Sequence, residues 1–138
     1  MADMYETYRP EGFHSVNGYL FVADPEGMIH FLQQAFDAEE LNRTIHPVHG
    51  DLANVIMKIG DSCIMLSQAR PPFEGMATAF YVYVSDVDGL YAKALEAGAE
   101  SVFPPADMDY GDRQGGVKDP SGTYWWISER LVKEPYKD

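Results

Sequence analysis

Cys63 is the only cysteine in this chain of 138 residues, so no intrachain disulfide framework holds it together and its stability has to come from a core. Long apolar runs are missing too: none approaches the roughly 20 residues that a helix needs to cross a bilayer. Basic residues are scarce, with ten Lys and Arg against 22 Asp and Glu and a net charge of −12. Such a chain repels phosphate backbones and anionic lipid and draws cationic ligands. Nucleic acid and membrane partners are therefore not expected. The opening MADMYETYRP lacks the basic start and apolar run of a secretory leader, which with the lone cysteine makes a reducing cytoplasm the expected setting. What the chain does have is 46% hydrophobic and 13% aromatic residues. That suffices for one compact domain over 1–138 and is too little for two ordinary ones.

The organisation emerges when the chain is compared with itself. YLFVADPEGM from Tyr19 lies beside YVYVSDVDGL from Tyr81, so that Val22 meets Val84, Asp24 meets Asp86, Gly27 meets Gly89 and Met28 meets Leu90 at an offset of 62. Each segment is a strand running into a helix. Asp24 and Asp86 stand where an N-cap belongs, with Glu26 and Asp88 in the first turn and Pro25 at an early position that needs no donor. Met28, Ile29, Phe31, Leu32 and Phe36 follow one helical face, as do Leu90, Tyr91, Ala94 and Leu95, and Gly98 stops the second helix. After a one-residue slip Ile64 to Ser67 match Trp125 to Ser128 at an offset of 61. The common order of these matches points to duplication, with repeats over 14–68 and 78–128. Each half reads as strand, helix and three strands: 14–22, 25–37, 40–46, 54–59 and 62–68, then 78–84, 87–97, 99–103, 112–118 and 124–128. The expected fold is α+β, with two βαβββ modules in tandem forming a curved mixed sheet, both helices on its outer face and a trough on the other.

Near its end the chain runs YGDRQGGVKDPSGTYWWISE. Asp119 to Gly122 are a turn signal, because Pro fixes φ, Gly accepts positive φ and Asp or Ser caps locally. A strand then starts near Thr123, on which Tyr124 and Trp126 share one face and Trp125 and Ile127 the other. The same alternation sends Leu20, Val22, Ile64, Leu66, Val82 and Val84 under the helices. It leaves Asn17, Tyr19, Phe21, Cys63, Met65 and Ser67, with Ala79, Tyr81, Tyr83, Tyr124, Trp126 and Ser128, facing the trough. The third strand adds Asn54, Ile56 and Lys58. Such a trough is aromatic and weakly polar. Rings closed over by loops or by a second copy would be packing residues, but a phenol buried without a partner is costly, and a partly wet concave site suits it better. Flat, amphipathic or cationic small molecules would stack there.

The paired βαβββ pattern, KIGDSCIMLS from Lys58, VSDVDGLYAKALEAGA from Val84 and GDRQGGVKDPSGTYWWIS together resemble the vicinal oxygen chelate superfamily. This is the glyoxalase, bleomycin-resistance and extradiol dioxygenase group, and the closest likeness is to its PhnB-like, glyoxalase-like branch, over residues 14–129. The resemblance implies four trough positions at which the group's enzymes hold a divalent metal with His and Glu. By register these are Asn17, Met65, Ala79 and Trp126. A thioether is soft, alanine and indole have no donor for a metal, and Asn17 would act alone. The branch often carries His and Glu on its third strand, where this chain has Asn54 and Ile56. No metal, cofactor or catalytic residue is therefore expected at the inherited site. The group's drug-resistance members are dimers that bind a cationic antibiotic in an aromatic groove without chemistry. The matching expectation is a homodimeric, metal-independent protein that binds a small molecule through Asn17, Tyr19, Phe21, Asn54, Met65, Tyr81, Tyr83, Arg113, Tyr124 and Trp126.

Other readings stay open beside this one. A metal-dependent lyase, isomerase or dioxygenase would need shifted ligands, for which His46 and His49 of HPVHG with Glu39 are the candidates; the plainer role for the two histidines is to cap and solvate a loop. His14 and His30 read as strand-edge and helix-face residues. Cys63 faces the trough, but no histidine maps beside it to generate a thiolate. A structural or regulatory dimer with a filled trough is the third possibility. Asp112 and Arg113 read either as an ion pair that fixes their loop or as ligand contacts. The Gly115-Gly116 pair marks a bulge or a place where something approaches the backbone. Arg70 to Phe73 can form a lip over the trough, and the tail ERLVKEPYKD is expected to be exposed or packed on a partner.

Overall fold

The computed structural model describes residues 8–136; residues 1–7, which carry most of the leader reading, and 137–138 of the tail lie outside them. The first half runs β1 (Tyr19–Val22), α1 (Pro25–Phe36), β2 (Glu39–Ile45), β3 (Leu52–Ile59) and β4 (Ser62–Gln68). The second repeats it as β5 (Ala79–Tyr83), α2 (Val87–Glu96), β6 (Glu100–Asp107), β7 (Asp112–Lys118) and β8 (Tyr124–Arg130). Each half forms a four-stranded mixed sheet, in the orders β1-β4-β3-β2 and β5-β8-β7-β6. The first strand of each half runs parallel to the last, and the other neighbours are antiparallel. β1 and β5 are thus edge strands, and among the described residues no ladder joins one sheet to the other.

Both helices begin as their sequences dictate. The Asp24 carboxylate accepts from the Gly27 N–H at 3.0 Å and Asp86 accepts from Gly89 at 3.0 Å, satisfying donors that the first helical turn leaves open. α1 buries Met28, Ile29, Phe31, Leu32 and Phe36, whereas α2 buries only Val87 and Ala94 fully. The helices pack on each other and on the helix-facing residues of both sheets, so Leu20, Val22, Val55, Leu66, Val117, Trp125 and Ile127 belong to one shared core. Trp125 is its joint. Its ring stacks on Phe80 at 5.0 Å and tilts against Phe36 at 4.8 Å, and its indole N–H donates to Asp119 Oδ2 at 2.8 Å. The other Asp119 oxygen accepts from the N–H groups of Ser121 and Thr123, which fixes the turn before β8 to the core.

Several boundaries differ from the sequence reading, each for a local reason. β1 starts at Tyr19 and not at residue 14, because Asn17 closes a turn with the backbone of His14 in both directions, at 2.8 Å each, and that bonding competes with a ladder. β6 runs on to Asp107 through Pro104 and Pro105: it is an edge strand, and register shifts around Phe103 absorb the missing donors. At Gly115 and Gly116 the expectation holds on the β6 side: β7 pairs with β8 in unbroken register, but β6 sets Pro104 and Pro105 against Gly115 alone, and a Cβ on Gly116 would meet the Phe103 ring while one on Gly115 would lie 3.1 Å from Tyr91. The ion pair between Asp112 and Arg113 does not form, since adjacent strand residues point to opposite faces. Arg113 instead bonds Asp88 and Asp107, each at 2.9 Å. Among the described residues no helix is long and apolar enough to cross a membrane.

Candidate functional site

In the first half, the parallel register sets Tyr19 beside Met65 and Phe21 beside Ser67. The three rings of Tyr19, Phe21 and Phe73 form a stack, with centroids 4.9 Å and 5.2 Å apart and planes within 23° and 16°. Phe73 arrives from the linker through a single bridge to Arg70, which gives the expected lip. The Tyr19 hydroxyl meets Ser67 Oγ at 2.8 Å, and Ser67 donates to the Ala53 carbonyl at 2.6 Å. Asn54 donates to the Met65 sulfur at 3.5 Å. Cys63 lies on the same face but is buried beneath Gly12, and burial pushes its thiol above the ordinary value, with Lys58 pulling the other way. A raised thiol pKa means little thiolate, the opposite of what a nucleophile requires. Asn17 is held in its turn with His14.

The second half carries charge at the matching place. Tyr81 and Tyr83 lie beside Trp126 and Ser128. Asp112, wholly buried, accepts from the Tyr81 hydroxyl at 2.6 Å, from the Tyr136 hydroxyl at 2.7 Å and from Arg130 at 3.0 Å. Burial alone would raise the Asp112 carboxyl, but the bonds from Tyr136, Tyr81 and Arg130 outweigh it and hold the group below the usual carboxylate range. Tyr81 moves the other way, its phenol raised first by burial and then by the Asp112 carboxylate; Tyr136 is raised chiefly by its bond to Asp112. Deeper along the face Gln114 donates to Ser128 at 2.7 Å and accepts from Tyr110. Trp126 packs edge-on to Phe103 at 5.9 Å and tilts toward Tyr124 at 6.1 Å. Lys118 sits over the Tyr124 ring at 5.8 Å.

The expected ligand residues are therefore gathered into two groups. Tyr19, Phe21, Asn54 and Met65 share the β1–β4–β3 face, and Tyr81, Tyr83, Tyr124 and Trp126 share the β5–β8–β7 face. No ring pair or hydrogen bond among the described residues links the two aromatic groups. Arg113 stands apart, on the α2 side of its sheet with both acidic partners. Two clefts open along the free edge strands. One, of about 600 Å³, runs along β1 with Tyr19 and Phe21 on one wall and Lys118 and Tyr124 on the other. Its counterpart along β5, of about 610 Å³, is lined by Tyr81, Tyr83, Ile64 and Phe36.

The inherited metal positions do not fit a divalent ion. Met65, Ala79 and Trp126 bring no hard donor, and Asn17 spends its amide on His14. Nor do the shifted ligands come together. The rings of His46 and His49 lie 4.4 Å apart and are tilted by 42°, but His46 Nδ1 accepts the N–H groups of Val48 and His49 and so caps its loop. The charge of Arg70 holds His49 below its ordinary value. Glu39 is at the far end of β2 from the histidines, on the order of 20 Å away at strand rise. Among the described residues no three His, Cys, Asp or Glu side chains converge as a metal would require.

The sequence reading missed the hub that Asp112 forms with Arg130 and Tyr136, as well as the supporting role of Phe103. A signal for part of it exists. Asp51 and Asp112 are 61 residues apart, and each pairs with an arginine at the end of its half, Arg70 or Arg130. Nothing in the sequence pattern marks Tyr136.

Residues 12–127 match the Glyoxalase/Bleomycin resistance protein/Dioxygenase superfamily. Uncharacterized proteins of Mycobacterium bovis and Mycobacterium tuberculosis are 32% identical over 126 residues, covering 83% of this chain and 82% and 74% of theirs. TioX from a Micromonospora species superposes with a TM-score of 0.68 at 25% identity, covering 88% of this chain and all of that one. An Arabidopsis thaliana gene product gives 0.69 at 25% identity over 85% of this chain and 99% of that one. Glyoxalase I from Zea mays, at 16% identity, shares the fold with a TM-score of 0.68 over 84% of this chain and 44% of the maize chain.

Proposed function

The chain belongs to the Glyoxalase/Bleomycin resistance protein/Dioxygenase superfamily, and we propose that within it, in the PhnB-like branch, it is a metal-independent small-molecule-binding protein that sequesters a cationic or aromatic ligand in the cytoplasm. The observation that carries this reading is the exchange at the trough. Where the superfamily's enzymes place metal ligands, this chain has Met65, Ala79 and Trp126, and around them lie the half-exposed rings of Tyr19, Tyr81 and Tyr83. Stacked phenols and indoles attract flat and cationic ligands, and a net charge of −12 concentrates cations at the surface. A homodimer suits the same faces, because β1 and β5 have free edges that a second copy would cover. Proflavine, a planar cation, tests the site by fluorescence anisotropy. It should bind the wild type, and Trp126→Ala should weaken binding by about tenfold, the loss expected when a desolvated cation–π contact is removed. Unaltered proflavine binding in Trp126→Ala would remove the trough from consideration.

A further inference from the structure

The Asp112 cluster is more elaborate than ring stacking requires. Tyr136 comes from the segment after β8, is about half exposed, and is met at its hydroxyl and over its ring. Its hydroxyl hydrogen is given to Asp112 Oδ2 at 2.7 Å, its oxygen meets the Tyr83 hydroxyl at 2.6 Å, and the Arg130 guanidinium covers its ring at 4.0 Å. The receiving groups come from three strands, and Arg130 is held from both sides, by Asp112 and the Tyr110 carbonyl and by the carbonyls of Glu134 and Pro135. Asp112 is fully buried on β7, Arg130 bonds Asp112 Oδ1 from β8, and Tyr81 on β5 donates to the same carboxylate. The first half shows that such an acidic pair does not need a phenol. Asp51 and Arg70 occupy the matching place, the β2–β3 connection closes by the same backbone bond as the β6–β7 one (His46 to Asp51, Met108 to Asp112), and neither Asp51 nor Arg70 bonds a tyrosine hydroxyl among the described residues.

We propose that Asp112, Tyr81, Tyr83 and Arg130 form a binding site for the phenol group of an aromatic ligand, and that Tyr136 is its tethered occupant. The inference rests on the reading of this face as a ligand surface and names the ligand's polar end. A buried carboxylate that already accepts from Tyr81 and Arg130 takes one more donor on Oδ2. It therefore selects a hydroxyl over an ether or an anion, while the guanidinium selects the ring face. Tyr136 competes with any incoming phenol as an intramolecular ligand, while the bonds from Arg130 to the carbonyls of Glu134 and Pro135 keep the preceding residues in place.

The test uses p-cresol, with its methyl ether 4-methylanisole as control, titrated into the full chain and followed by amide shifts in nuclear magnetic resonance spectra. Tyr136→Ala should bind p-cresol about tenfold or more tighter than the wild type, because the tethered competitor is gone. The shifts should centre on β7 and β8 around Asp112 and Arg130, and 4-methylanisole should leave them unmoved. Equal p-cresol affinity in wild type and Tyr136→Ala, or 4-methylanisole binding as well as p-cresol, overturns the proposal. Asp112 is unaltered in both comparisons, and the dispersion of the amide spectrum shows directly that Tyr136→Ala is folded. Proflavine binding on the same samples separates the two readings: proflavine bound without p-cresol overturns the phenol site alone, and neither bound overturns both.

Discussion

Tyr19 and Tyr81 occupy matching places, 62 residues apart, on the first strand of each half, yet their hydroxyls end on different partners. Tyr19 reaches Ser67, a neutral hydroxyl that donates its own hydrogen bond to a backbone carbonyl, and its ring continues into a stack with Phe21 and Phe73. Tyr81 reaches Asp112, a buried carboxylate that Arg130 neutralises and Tyr136 also bonds. The framework beneath is common to both halves: the same capped helix, the same strand order and the same acid–arginine pair closing the third strand. One repeat has spent its inner face on apolar stacking and the other on a charged phenol network. The two modules thus share what folding requires and differ on the trough face.

The comparison breaks most visibly at its two acidic pairs. Asp112→Ala strands Arg130 and two phenols around a wholly buried site and should cost about 3–5 kcal/mol in urea unfolding. Asp51→Ala removes a pair whose partners remain 24% and 37% exposed, and should cost about 1 kcal/mol or less. Equal losses would mean that the two halves are not divided in this way.

A smaller effect lies in the pH dependence. The folded Asp112 carboxyl sits below its ordinary value, so its contribution is complete above about pH 4 and is lost as pH falls from there toward the folded value. Tyr81 and Tyr136 are raised in the folded state, so theirs is complete below about pH 10 and is lost only as pH climbs through the folded values. Ultraviolet titration should therefore find Tyr81 and Tyr136 ionising late, and Asp112→Asn should lower Tyr136 more than Tyr81, whose shift is due first to burial.

Much of this fold was legible because strands and helices depend on local pattern. The caps at Asp24 and Asp86, the turn at Asp119 and the alternation through Trp125 and Trp126 each obey a rule that acts within a few residues. β4 and β7 have the expected bounds, and the shared core follows from the parity of Leu20, Leu66 and Ile127. The failures lie where a longer-range partner decides. Asn17 looked like a strand residue because its bond to the His14 backbone has no periodicity to reveal it. The proline pair in β6 looked like a stop, and only its position at a sheet edge makes it tolerable. Arg113 was placed with the ligand residues through a motif, whereas Asp88 and Asp107 settle its direction. Tyr136 could not have been assigned from sequence, since its partner stands 24 residues away on a different element.

The claim that decides most is that the trough binds its ligand without a metal. Its most direct test is the metal content, by mass spectrometry, of purified protein incubated with nickel, zinc, manganese and iron(II) and then desalted. With Met65, Ala79 and Trp126 at the inherited positions, the content should stay near zero. A value of about one ion per chain, as a built site of His and carboxylate ligands would retain, would contradict it.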